Sequence, residues 1–256
     1  MPKVRTQIFE ESVEDPEVGG LLKVSEENLH HLRDVLRVKN GDLLKIVINS
    51  KEVALAEVIL EKKRIYAKIS EIKEIERVIN PITTLCFAVC KSAQNELVAE
   101  KATELGVENI LFWRSEHTGI KVNEKEFAAK TVRLKKIAEG AARQSKQLFI
   151  PQIFMKNSLS EALSFVQSSY GGVLIYAALE DNARYVHQIE ALKNGLDQQL
   201  HIFIGPEGGF SERERDFLQK TALPLSLGSS VLKAETAAIV AISQLQAFCR
   251  ISETSL

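Results

Sequence analysis

No run of about 18 consecutive apolar residues occurs in this 256-residue chain, so no membrane-spanning helix is expected. The opening segment, MPKVRTQIFEES, has no apolar signal-peptide core, which argues against export. Cysteine is scarce. Cys86, Cys90 and Cys249 are too few and too unevenly spaced for a disulfide framework or a zinc site. A reducing, cytoplasmic setting is expected. Charge of one sign is lacking too: 33 Lys and Arg balance 34 Asp and Glu, a net charge of −1, so the chain is not a polycation. Familiar site motifs are missing. There is no GxxxxGK[ST], so a P-loop is not expected. GPEGGF is not GxGxxG and does not open the first βαβ unit, so a nicotinamide fold is not supported. No HExxH or CxxC occurs, and Ser211 has no nucleophile-elbow context. The five histidines are scattered; His30 and His31 read as surface residues rather than metal ligands. No metal is expected to be required.

What remains is a chain with a real core, 45% apolar. Residues 1–72 read as mostly β: VRTQIF, GGLLKV, DLLKIVI, KEVALAEVIL and RIYAKISEI are short alternating or β-branched runs. One helix interrupts them, capped by Ser25 with Asn28 at the third position and continuing through HHLRDVLRV. Short strands around one helix predict a small barrel. Residues 73–81, charged and ending in Pro81, read as a linker. From residue 82 to 256 strands and helices alternate, which predicts a parallel sheet with helices on both faces. Strands are expected at Ile82–Cys90, Val107–Trp113, the segment PQIF, Gly172–Ala178 and Leu200–Ile204. Cys86 and Cys90 read as core, and Trp113 as packing. The basic run from Lys130 to Lys146 holds six Lys or Arg and one acid, Glu139. It is either a solvated helix face or a phosphate-contacting one. The last helix, Ala234–Arg250, is apolar around most of its circumference and predicts a core helix, a subunit interface, or both.

The densest signal is LHIFIGPEGGF, residues 200–210. An apolar strand runs into a loop with Gly205, Gly208 and Gly209 and one carboxylate, Glu207. Ser211 and Glu214 then form a capping box that starts a helix. Glycine lets backbone approach a ligand because no Cβ intervenes. A second such loop follows in LPLSLGSSVLKAETAA, residues 223–238. Two Gly loops at strand ends predict one shared ligand site. Such a backbone-lined, apolar-walled pocket suits adenine and a thioether-type cofactor better than a polyphosphate.

Six segments carry a family resemblance: HHLRDVLRVKNGD (30–42), KSAQNELVAEKATELGV (91–107), WRSEHT (113–118), AARQSK (141–146), IGPEGGFSERE (204–214) and LSLGSSVLKAETAA (225–238). In this order, over nearly the full length, the chain resembles the RsmE-type RNA methyltransferases of the SPOUT class. Those enzymes methylate N3 of a uridine in small-subunit (16S) ribosomal RNA. The resemblance implies an N-terminal PUA-like β-barrel that binds RNA, and a C-terminal α/β domain with a deep trefoil knot. It implies S-adenosylmethionine as cofactor, lined by Leu179, Gly205, Glu207, Gly208, Leu227, Gly228 and Leu232. It implies a homodimer with the active site at the interface, and ribosomal RNA contacts through Arg33, Arg37, Arg114, Arg143 and Lys146. Arg33 and Arg37, four apart, are expected on one helix face. The chain departs from the family at Lys233, where Arg is usual. It also departs at Arg143-Gln144-Ser145-Lys146-Gln147, where Glu-Gln-Ser-x-Arg is usual, and at Leu134, where Trp is common.

Uridine N3 must lose its proton before it can attack a sulfonium methyl group. Lys233 is the candidate for stabilising the uracil oxygens as charge develops; the other reading is a helix-start residue pairing with Glu235. Glu207 is either a general base or a loop anchor that accepts backbone N–H groups. Two other functions fit the same pattern: a SPOUT methyltransferase acting on a different RNA site, and a non-catalytic RNA-binding assembly factor.

Overall fold

The computed structural model describes residues 4–62, 64–75, 82–118, 124–192 and 199–253; at 82–83, 124–127 and 249–253 it describes the backbone alone. Cys249 therefore has no described side chain, and most of the expected linker, residues 76–81, lies outside the described residues. The chain divides into two compact units. One comprises Met1–Val78 with Ala142–Phe149, the other Ile79–Ala141 with Ile150–Leu256.

The first unit is built on a mixed five-stranded sheet. Its strands are β1 (Val4–Glu10), β2 (Leu21–Lys23), β3 (Leu43–Ile48), β4 (Glu52–Glu61) and β5 (Arg64–Glu74), in the order β1-β3-β4-β5-β2. β1 and β3 run parallel; the other pairs are antiparallel. Ile8, Leu44, Ile46, Ala54, Ala56, Val58, Ile65 and Ala67 fill its core. β1 and β2 are the two edges, and an unpaired edge invites aggregation. Here side chains bridge them. The buried Glu10 carboxylate ends β1 and accepts from Ser25 N–H at 3.1 Å, Ser25 Oγ at 3.2 Å and Asn28 Nδ2 at 2.9 Å. Ser25 and Asn28 open α1 (Glu26–His30), just past β2, and Ser25 Oγ accepts from Asn28 N–H as the sequence predicts.

Three expectations change here. The helix does not continue regularly to Val38: residues His31–Val35 widen into a π turn, and Arg37 takes a left-handed φ of 50°. Arg33 and Arg37 therefore do not share an α-helical face. The linker cannot begin at residue 73, because Lys73 and Glu74 still pair with Val53 and Glu52 in the β4–β5 hairpin. And residues 142–149 group with the first unit rather than with a single domain over 82–256. Gln7 Nε2 donates to the Gln147 carbonyl at 2.6 Å, and Arg143 donates to Asn28 Oδ1 at 2.6 Å.

The second unit is a six-stranded, fully parallel sheet. Its strands are β6 (Ile82–Ala88), β7 (Asn109–Trp113), β8 (Gln152–Lys156), β9 (Val173–Ala177), β10 (Leu200–Ile204) and β11 (Leu223–Leu225), in the order β11-β9-β10-β6-β7-β8. Its α-helices are α2 (Ser92–Glu104), α3 (Glu124–Ser145, whose last four residues group with the first unit), α4 (Leu159–Ser169), α5 (Glu212–Thr221) and α6 (Ala234–Glu253). Strand side chains alternate between two cores. Leu85, Phe87, Ile202 and Ile204 face residues of α2, α3 and α6. Cys86, Ala88, Trp113 and Phe203 face residues of α4 and α5. Both faces are thus covered, which explains the uninterrupted apolar runs.

α6 is less uniformly buried than its sequence suggests. Ala234, Ala237, Ala238, Ala241, Ile242 and Leu245 are buried, while Ile239, Val240 and Phe248 are half-buried and Ala247 is exposed. Among the described residues no helix is long and apolar enough to cross a membrane.

Candidate functional site

The loop after β10 is held by an aromatic anchor. Phe210 stacks on Trp113 (6.1 Å between centroids, 4° between planes) and meets Tyr176 edge-on at 6.0 Å. Trp113 is fully buried, as packing requires. A Cβ on Gly205 would sit 3.2 Å from the Phe210 ring. Gly205 is therefore needed by the loop's own packing, not only by a ligand. Gly209 turns the loop at φ 70°.

Ser211 and Glu214 form the full capping box of α5. The Glu214 carboxylate does more than cap. It accepts from Ser211 N–H, Ser115 Oγ and Glu116 N–H, each at 2.9 Å. His117 Nδ1 lies 3.3 and 3.1 Å from the Gly208 and Gly209 carbonyls. The segment Ser115–His117 thus straps the glycine loop in place. The capping motif was visible in sequence; this strap was not, because its partners lie about a hundred residues apart.

Glu207 is exposed. Gln94 Nε2 donates to it at 2.5 Å and lies 3.4 Å from Glu235. Among the described residues its carboxylate is held by a side chain of α2 rather than by backbone N–H groups of its own loop. Nearby Cys90 has its thiol pushed up to about 11 by burial and then by the Glu207 charge. It is an inert core thiol.

The second loop begins where β11 ends. Ala178 N–H donates to the Leu225 carbonyl and Ser226 N–H to the Arg184 carbonyl, both at 2.9 Å. Gly228 has φ 129°, which only glycine adopts easily. The two loops and the end of β9 enclose a cavity of about 560 Å³. Leu179, Gly205, Glu207, Gly208, Leu227, Gly228 and Leu232 all line it, so the structure gathers all seven expected cofactor residues around one space. Sequence reasoning missed Glu180, Phe210 and Arg215, which also line it, as do Ser230 and Val231 within the expected second loop. Leu179 and Val231 are 74% and 80% exposed and leave apolar wall open to a ligand. A volume of this size suits a nucleoside-sized ligand.

Lys233 is exposed and is not among the residues lining the cavity. Its carbonyl accepts Ala237 N–H at 2.8 Å in the first turn of α6. Among the described residues it forms no salt bridge with Glu235.

The expected RNA contacts separate. Arg33 and Arg37 are exposed on the first unit. Arg143 is half-buried and bonded to Asn28; its charge, after burial, lowers the His31 pKa. Lys146 is exposed with φ 60°, close enough to Lys45 to lower that lysine's pKa, again after burial. Lys45 and Lys146 thus form a cationic pair, and Lys45 was not singled out from sequence. Arg114 belongs to the second unit, where its N–H donates to the Lys156 carbonyl at 3.1 Å. Among the described residues no group of three His, Cys, Asp or Glu is arranged to hold a metal ion.

Comparison with known proteins finds two domain families along the chain. The RNA methyltransferase PUA domain matches residues 24–70. The chain is 28% identical to ribosomal RNA small subunit methyltransferase E 2 of Borreliella burgdorferi over 85% of its length and 87% of the relative's. It is 25% identical to ribosomal RNA small subunit methyltransferase E of Bacillus subtilis, over 89% and 90%. A Legionella pneumophila protein described as a methyltransferase, solved with the cofactor SAM, superposes with a TM-score of 0.82 at 28% identity, covering 94% of this chain and 96% of that one. The RNA methyltransferase domain matches residues 79–246, well over half of the sequence, and the chain belongs to that family.

Proposed function

We propose that this protein is an S-adenosylmethionine-dependent methyltransferase that modifies N3 of a uridine in 16S ribosomal RNA. The observation that carries the reading is the single cavity formed by the two glycine loops, with all seven expected residues around it. The cavity fits the cofactor. Its backbone comes close at Gly205 and Gly228, its walls are apolar at Leu179, Leu227 and Leu232, and one buried carboxylate oxygen, Glu180 Oε2, has no hydrogen-bond donor. These residues would hold the cofactor, which supplies an activated methyl group.

The rest of the chemistry belongs to the protein. The loops position the acceptor nitrogen in line with the methyl group, which removes much of the entropic barrier. Lys233 is exposed next to cavity-lining Leu232. In this reading it supplies positive charge to the uracil oxygens as N3 gives up its proton. The first unit binds RNA through Lys45, Lys146, Arg33 and Arg37, with Arg143 ordering α1 through Asn28; Arg114 contributes from the second unit. A homodimer is part of the proposal. It would cover the half-buried Ile239, Val240 and Phe248 of α6 and complete the active site.

The test is direct. Ribosomal RNA from cells lacking the gene is digested and analysed by mass spectrometry, then treated with purified protein and methyl donor. Loss of one N3-methyluridine from 16S RNA, and its restoration in vitro, is the expected result. A methyl group on another base or another RNA would reassign the substrate. Methyl-donor binding without any methylation would favour the assembly-factor reading.

A further inference from the structure

We propose that Glu180 and Arg215 form a receptor for the zwitterionic amino-acid end of the methyl donor. The inference rests on the methyl-donor reading of the cavity and deepens it.

The cavity wall is mostly backbone and apolar side chain. Its charged side chains are Glu180, Glu207 and Arg215, and Glu207 is already engaged by Gln94. Arg215 is thus the one cation among the described lining residues. A methyl donor built on methionine brings one α-carboxylate and one α-ammonium group. Its α-carboxylate meets a single cationic partner in this cavity.

The pair is poised to open. Arg215 Nε and Glu180 Oε1 stand 3.6 Å apart, beyond the range of a strong charge-assisted hydrogen bond. One further guanidinium nitrogen donates to the Phe210 carbonyl at 3.3 Å. A guanidinium has five N–H donors, so capacity remains for a carboxylate. On the other side, Glu180 Oε2 is buried and accepts no hydrogen bond. A buried carboxylate oxygen without a donor is costly. An α-ammonium group arriving there supplies the donor, while the α-carboxylate takes the guanidinium. Two loose opposite charges thereby become two well-made ion pairs. Glu180 lies just past β9, and Arg215 in the first turns of α5, so only the fold brings them to one wall.

Two ligands isolate the amino-acid end. S-adenosylhomocysteine carries it; 5′-methylthioadenosine has the same adenosine and thioether without it. Calorimetry on the full chain compares wild type with Arg215→Met, Arg215→Lys and Glu180→Gln. The expected result is a tenfold to hundredfold loss of S-adenosylhomocysteine affinity in Arg215→Met, about the worth of one charged hydrogen-bonded contact. Arg215→Lys should lose less, and Glu180→Gln should also weaken S-adenosylhomocysteine. Methylthioadenosine affinity should stay within twofold throughout. Unchanged S-adenosylhomocysteine binding in Arg215→Met overturns the proposal. So does a parallel loss for both ligands, which would place Glu180 on the ribose or Arg215 in loop support through Phe210. A wild-type protein that binds neither ligand refutes the methyl-donor reading itself, a result distinct from either of these.

Discussion

Strand β10 is buried at all five positions, whereas β4 alternates buried residues with half-buried and exposed ones along its ten. The two sheets distribute chemistry differently as a result. A sheet covered on both faces can offer reactive groups only where its strands end, and there the cavity lies. A sheet with one open face can present charges along its length. On the first unit the charges of Lys45 and Lys146 crowd each other, and their repulsion is the kind that polyanionic phosphate relieves. The cavity therefore lies at the strand ends, beside a loop held by Phe210 and Glu214. The proposed RNA surface is open and electrostatic.

That contrast can be broken most severely at its anchor. Phe210→Ala removes a buried ring from the aromatic cluster of Trp113 and Tyr176. It should cost about 3–5 kcal/mol in denaturant unfolding and abolish cofactor binding. A stability loss without any change in cofactor affinity would show the loop to be held by the Ser115–His117 strap alone.

Acid should expose the buried sheet next. His201 in β10 is fully buried, and burial lowers its pKa from 6.5 to about 4. The folded state keeps this ring neutral while the unfolded state takes up a proton below 6.5. Stability should be complete above pH 6.5, fall as pH drops from 6.5 to about 4, and lose no more from this group below that. The loss is about 3 kcal/mol. His201→Phe should remove this part of the acid sensitivity in urea titrations across pH; an unchanged pH profile would discount the group.

A smaller free-energy change, read in rate, concerns Lys233. Lys233→Met should lower single-turnover methylation by on the order of a hundredfold at saturating RNA and cofactor, with cofactor affinity nearly unchanged. Lys233→Arg should keep substantial activity. A Met variant with the wild-type rate removes Lys233 from the chemistry and leaves it as a helix-start residue.

The mildest change sharpens the first unit's role. Lys45→Ala with Lys146→Ala should weaken RNA binding and reduce its salt dependence by about one to two units of log–log slope. Methyl-donor affinity should be unaffected. An unaltered salt slope would move the RNA surface elsewhere on the protein.

Much of this was legible in the chain itself, because the physics involved is local. Strand periodicity, the Ser25 and Ser211 caps and both glycine loops depend on neighbours within a few residues. The seven cavity residues were implied by the family resemblance; the residues alone predicted only that two strand-end glycine loops share a site. Other features are long-range and have no local signature. The Glu10 bridge between edge strands, the Gln94 hold on Glu207, the Glu214 strap to Ser115 and the Glu180–Arg215 pair each join positions that only folding makes adjacent. The grouping of residues 142–149 with the first unit belongs with them, since Gln7 and Asn28 are its partners there. Local backbone preference thus determined the elements and the loops. Tertiary packing alone decided which polar side chain meets which, because a hydrogen bond between distant residues depends on where the whole chain delivers them.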